Sequence, residues 1–236
     1  MEEIQDALVI DDTAIIQDLT IQKRQYNTII LAGICIAVLF HQVAGAYIIV
    51  KSLPPVWRLL TSDLVMWSTL PLLYYYAKKV EGRDFFLWKE KARNLWFYIA
   101  AITVLYIMVS SGNLIASIPR RLGYHDNYTV MKYWRGIIRS NRPLLFFTCL
   151  TAGFTEELQM RAYVLPRLSL LFKSEYWPVV ISALIFSFLH LGYWNLSECI
   201  FTFVFGLICA MFYKKYQNIQ VLIILHFLYD LLAFWF

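Results

Sequence analysis

Long apolar runs separated by short polar breaks dominate this chain. A bilayer core about 30 Å thick takes roughly 20 apolar residues per helix, so each run predicts a membrane-crossing helix. Seven follow: about 28–50, 57–77, 94–116, 143–172, 177–192, 196–214 and 219–236. A polar, basic loop is expected from the third run to about residue 142. Gly153 and Pro166 fall inside the fourth run, where they predict a kink or a break. Residues 1–27 mix apolar and acidic positions and predict either an amphipathic helix at the interface or a disordered tail. Acids and the lack of a basic flank there argue against a signal peptide. The expectation is an all-α, polytopic transmembrane bundle of about seven spans. Residues 28–236 form one membrane domain, without internal repeats.

Composition agrees. Of 236 residues, 60% are hydrophobic and only 16% charged, and the mean hydropathy is +0.56. These values belong to the membrane class. A net charge of +5 is compatible with a nucleic-acid partner, but the basic residues cluster at span ends, as in "YYYAKKVEGR" and "SIPRRLG". Anchoring in the lipid bilayer explains that placement, and no nucleic acid is expected. Aromatic residues at span ends, as in "YWPVV" and "LGYWNL", suit interfacial belts. The excess of Lys and Arg in the loops on the N-terminal side favours a cytoplasmic N-terminus. Cys35, Cys149, Cys199 and Cys209 lie in apolar runs without a CxxC pair and read as small buried side chains.

Against this background the ionisable residues inside the runs stand out, because charges at membrane depth are costly and face a bundle interior or a cavity. The stretch "GFTEELQMRAYVLP" brings Glu156, Glu157 and Arg161 together. Residues four apart share a helix face, so Glu157 is expected to pair with Arg161. Glu156, rotated about 100° away, lacks that partner and shares its face with Ala152, Gly153, Gln159 and Met160. An unpaired, desolvated carboxylate suits proton transfer.

Phe186 and His190 are four apart on the fifth run, so the ring can orient the imidazole. His226 and Asp230 are four apart on the seventh, where the acid can fix the histidine tautomer. A purely structural role is an open alternative for each pair. His41 and Gln42 on the first run read as structural, and Glu198, at the start of the sixth, as interfacial. Together, one glutamate and two histidines can activate water and stabilise an oxyanion, the chemistry of amide hydrolysis. The same set could hold a divalent ion such as zinc, but the chain has no HExxH, and no metal or other cofactor is favoured.

The motifs "EELQMR", "FSFLH" and "HFLYD" occur in this order on successive C-terminal runs. Together they resemble the CPBP family of intramembrane glutamic endopeptidases, which includes the CAAX proteases and the bacteriocin-processing Abi proteins. The resemblance covers about residues 145–232 and marks 143–236 as the catalytic core. It implies an active site in an intramembrane cavity, with Glu156 as catalytic glutamate, His190 as water-activating histidine and His226 at the oxyanion hole. Glu157, Arg161, Asp230 and Phe186 become supporting residues. The family's CAAX-processing branch has asparagine where this chain has Asp230, and an ionised carboxylate cannot donate to an oxyanion. Asp230 is therefore expected to orient His226, and a peptide substrate is favoured over a prenylated one.

The implied protein is a multi-pass protease of the bacterial cell membrane. It would cleave a peptide or membrane-associated protein in peptide processing, or in bacteriocin-type maturation or immunity. Two other classes use the same residues: a non-catalytic immunity or scaffold protein that binds a peptide or partner, and a proton-coupled transporter. The oligomeric state has no signature in the sequence.

Overall fold

A computed structural model describes residues 2–48, 53–193 and 195–236, and every regular element among them is helical. The ten α-helices are α1 (Glu2–Ile48), α2 (Pro55–Tyr76), α3 (Leu95–Ala116), α4 (Ile118–Arg121), α5 (Thr129–Ser140), α6 (Arg142–Thr151), α7 (Leu165–Leu171), α8 (Trp177–Leu189), α9 (Leu196–Tyr216) and α10 (Ile219–Trp235). Each of the seven predicted runs has its helix. The last two residues of the first run, and Trp194 of the aromatic "LGYWNL" cluster, lie outside the described residues.

The N-terminal segment takes the helical form of its two expected alternatives and is continuous with the first span, with Ile16, Leu19 and Ile21 exposed. Two differences from the sequence expectation stand out. The stretch expected as a loop before residue 142 contains α4 and α5, and α5 carries apolar residues along one side and Lys132, Arg135 and Arg139 elsewhere. A helix with such a divided surface fits the plane of a membrane interface. The fourth run does not break at Gly153 or Pro166. It continues from α6 into α7 through two π-helical stretches, Ala152–Glu156 and Leu158–Val164. Pro166 is the second residue of α7, directly after the second π-helical stretch.

The termini follow from local chemistry. Asn94, Asn141, Asn195 and Asn218 precede α3, α6, α9 and α10, and each side-chain oxygen accepts a backbone N–H of the first turn. These caps satisfy donors that a helix start otherwise leaves open. Between α9 and α10, Gln217 takes a left-handed conformation (φ 49°), so the chain reverses within two residues. The π-helical stretch Ala77–Glu81 after α2 closes on Gly82, also left-handed (φ 65°).

α9 packs between α3 and α8, while α10 packs on the π-helical Ala152–Glu156, α6 and α3. Small residues set the closest approaches. A Cβ at Gly153 would lie 2.8 Å from the Phe227 amide nitrogen of α10, and one at Gly206 of α9 would lie 3.1 Å from Ala183 Cα of α8. Away from the cavity described below, a buried Arg167 guanidinium forks onto the Glu81 carboxylate, with Nη2 2.6 Å from Oε2. Tyr163 donates to the other oxygen at 2.6 Å. The pair joins the end of the π-helical stretch after α2 to α7.

Leu19–Ala44, Leu95–Arg121 and Leu196–Tyr216 are long and apolar enough to cross a membrane. Trp96, Val104, Ile107 and Leu114 of α3 are exposed apolar side chains, as a lipid-facing surface requires. The protein is an integral membrane helix bundle. α8, with 13 residues, rises about 20 Å, less than a bilayer core. His190 follows at its C-terminal cap.

Candidate active site

Glu156, His190, His226 and Asp230 line one cavity of about 810 Å³, enclosed mainly by α1, α2, α5, α9, α10 and the π-helical stretches. Thr148, Ala152, Glu156, Gln159 and Met160 form the stripe that the fourth run contributes. Glu156 ends the first π-helical stretch and Glu157 follows immediately. π-helical turns are uncommon and recur at functional sites, where they re-aim side chains without ending the helix.

The adjacent acids have different surroundings. Glu156 Oε2 is buried and has no hydrogen-bond partner among the described residues. Glu157 is fully buried, with Oε2 3.2 Å from Arg161 Nε. That approach lacks the angle of a hydrogen bond, so it is an ion pair by proximity. The Arg161 guanidinium also lies over the Phe186 ring, 4.5 Å from its centroid. Phe186 therefore supports the cation as well as the histidine.

His226 corrects the sequence picture of Glu157. Its Nδ1 is 2.8 Å from Glu157 Oε1, so the ring donates to the acid that the sequence paired only with Arg161. Asp230 Oδ2 lies 3.5 Å from His226 Nε2. Glu157 is therefore the tighter orienting partner and Asp230 the looser one. With Nδ1 committed to Glu157, Nε2 is the nitrogen that can serve a ligand. Phe186 and Phe205 flank the imidazole, with ring centroids 6.3 and 4.7 Å away.

His190 is held differently. Its Nδ1 is 2.8 Å from the Phe186 carbonyl oxygen. A carbonyl only accepts, so Nδ1 carries the proton and the neutral ring keeps Nε2 as its basic nitrogen. The Phe186 and His190 ring centroids are 4.8 Å apart. One residue thus fixes the imidazole through its ring and its backbone.

Two further acids belong to the cavity wall. Glu198, expected at the interface, lines the cavity and is an electrostatic neighbour of His190. Asp63 of α2 is buried there and accepts from the Thr148 hydroxyl at 2.8 Å. Asp63 carried the signal used for the other acids, a charge inside an apolar run. Glu198 did not, because it lies at a helix start. His41, which read as structural, bonds Ser62 at 3.2 Å and lines the same cavity. Outside the spans, Asp126 reaches the start of α9, where its carboxylate accepts from the Ser197 amide at 3.2 Å and hydroxyl at 2.5 Å. Burial opposes its charge, but these bonds and those from Tyr128 and the Leu196 amide outweigh burial and hold its carboxyl below the usual range.

Among the described residues, no three His, Cys, Asp or Glu side chains converge in a metal-binding group.

Residues 139–232 match the family model described as Rce1-like, type II CAAX prenyl endopeptidase Rce1-like. This region is similar to the Rce1-like family. The Rce1-like region starts in the last turn of α5 and includes every ionisable cavity residue from Glu156 to Asp230. Comparison with curated proteins and with solved structures gave no match. The description is that of an endopeptidase, and the matched residues supply Glu156, His190, His226 and Asp230 to a cavity whose other walls come from α1, α2, α3 and α5.

Proposed function

We propose that this protein is an intramembrane endopeptidase that hydrolyses a peptide bond with water activated by Glu156 and His190. The reading rests on one observation: Glu156, with an unpartnered buried oxygen, shares a cavity with a histidine whose tautomer presents a basic nitrogen. In the reaction, the Glu156 carboxylate takes a proton from water and His190 Nε2 orients that water. The hydroxyl adds to the scissile carbonyl carbon, and the C=O electron pair moves onto oxygen. His226, carrying a proton on each ring nitrogen with Nδ1–H held by Glu157, stabilises this oxyanion through Nε2–H. The C–N bond breaks as the proton on Glu156 passes to the amine, and both residues return to their starting states.

Glu157 and Arg161 position His226 and balance charge beneath the cavity. Asp230 biases His226 from the other side. No metal enters the scheme. The substrate class we favour is an unmodified peptide or membrane-associated protein, because Asp230 stands where the resembled CAAX-processing branch has asparagine. This suits peptide processing of the bacteriocin-maturation or immunity kind.

Comparative peptidomics of cells carrying wild-type protein or Glu156→Gln tests the reading. Gln keeps the shape and removes the base. Fragments present only with wild type are the expected result, at equal protein levels. A synthetic peptide spanning one recovered cleavage junction should then be cut by the purified protein, with or without EDTA. Processing that survives Glu156→Gln would leave a non-catalytic binding protein. Loss with EDTA, restored by one stoichiometric divalent ion that is measurably bound, would require a metalloenzyme.

A further inference from the structure

The cavity has a second group equipped to hold a substrate carbonyl. Asn195 is buried to 2% exposure and follows the turn after His190 into α9. It lines the cavity with Glu156, His190 and His226. Its Oδ1 accepts the Glu198 amide at 3.1 Å as the cap of α9. That bond settles which end of the side-chain amide is which, because only the oxygen can accept. Nδ2 is consequently directed away from the cap, and it has no hydrogen-bond partner among the described residues. Gln159 Nε2 is also unpartnered and buried, but no such bond fixes the direction of its amide.

A buried amide donor without a partner is costly and uncommon. An asparagine needed only for capping could be replaced by serine or aspartate, which cap as well and bury no idle N–H₂. The proposed reaction also needs more donors than His226 supplies. Its Nδ1 is spent on Glu157, and an ionised Asp230 has no proton to donate. Arg161 has unpartnered nitrogens, but it lies under Phe186 and is absent from the cavity wall.

We propose that Asn195 Nδ2 is a catalytic hydrogen-bond donor to the scissile carbonyl oxygen, completing with His226 the site that receives the oxyanion. This inference rests on the protease reading above. The cap bond makes the donor pre-organised, since its orientation is set by the start of α9 before substrate arrives. Such pre-set donors contribute to the rate because they need no reorganisation as charge develops on the oxygen.

The test uses Asn195→Ser and Asn195→Asp in the full-length protein in detergent micelles. The substrate is the synthetic peptide spanning a junction recovered from wild-type cells. Both variants keep a capping oxygen and remove the N–H₂. The expected result is a kcat lower by about 10²–10³-fold, with KM changed less than threefold and thermal unfolding close to wild type. Asn195→Asp should be the slower of the two, because it adds an acid facing the developing oxyanion. Wild-type kcat in Asn195→Ser, alongside loss of cleavage in Glu156→Gln, would overturn the inference and leave the protease reading intact. A KM-only effect would overturn it too, assigning Asn195 to ground-state binding. Cleavage that survives Glu156→Gln would overturn both.

Discussion

Gly153→Ala places a single methyl where the proposed chemistry depends on helix spacing. The new Cβ would sit 2.8 Å from the Phe227 amide nitrogen, 3.0 Å from the Ile223 carbonyl oxygen and 3.1 Å from Phe227 Cα. All three are backbone atoms of α10, so no side chain can rotate away. Reaching the 3.4 Å at which ordinary contact begins requires a displacement of about 0.6 Å between the two helices. His226 is the residue before Phe227, and its 2.8 Å bond to Glu157 bridges the same pair of helices. A shift of that size stretches the bond toward the limit of hydrogen bonding. Overpacking costs about 1–3 kcal/mol, and replacing glycine by alanine in a helix returns about 1 kcal/mol. Net destabilisation should therefore be small, at most about 2 kcal/mol. Activity should suffer more, by about 10–100-fold in kcat, because sub-ångström misplacement of catalytic groups is expensive. The assay is cleavage of the junction peptide together with thermal unfolding in the same detergent, and Gly153→Ser should be worse on both counts. Wild-type kcat in Gly153→Ala would refute the claim that this crossing sets the position of His226.

Two further outcomes test the electrostatics. Glu157→Gln leaves the buried Arg161 without its carboxylate, and a thermal or denaturant titration should show a loss of about 3–5 kcal/mol. Glu157→Gln combined with Arg161→Met should recover much of it; a stable single variant would show that the pair is dispensable. The Asp126 carboxyl is held below its usual range in the folded protein, so its contribution to stability is present above the unfolded pKa of about 4 and is lost as pH falls below it. Unfolding followed from pH 7 to pH 3 should show an acid-dependent loss in wild type that is reduced in Asp126→Asn, and identical profiles would remove Asp126 as an anchor of α9.

Much of the bundle was legible because lipid makes one demand that is written locally: a spanning segment must be apolar along its length and satisfy its own backbone. That is why seven apolar runs mark seven helical stretches. α5 escaped because it carries polar and basic residues among its apolar ones, and a search for apolar runs passes over such a segment. The ion pair of Glu157 with Arg161 was also legible, since residues four apart on one helix meet whatever surrounds them.

The amino-acid sequence by itself determined which segments form apolar helices and which of them carry acids and imidazoles. It could not assign partners across helices. His226 donates to Glu157, 69 residues away in sequence, and Asn195 and Glu198 join the cavity only because the turn after His190 folds the start of α9 back toward it. Those meetings depend on the distance and rotation between helices, which close contacts such as Gly153 against Phe227 decide. Helical period specifies a face, but only packing specifies what that face meets. "EELQMR" shows both: its spacing separates a paired acid from an unpaired one, and the fold alone gives the paired acid its histidine.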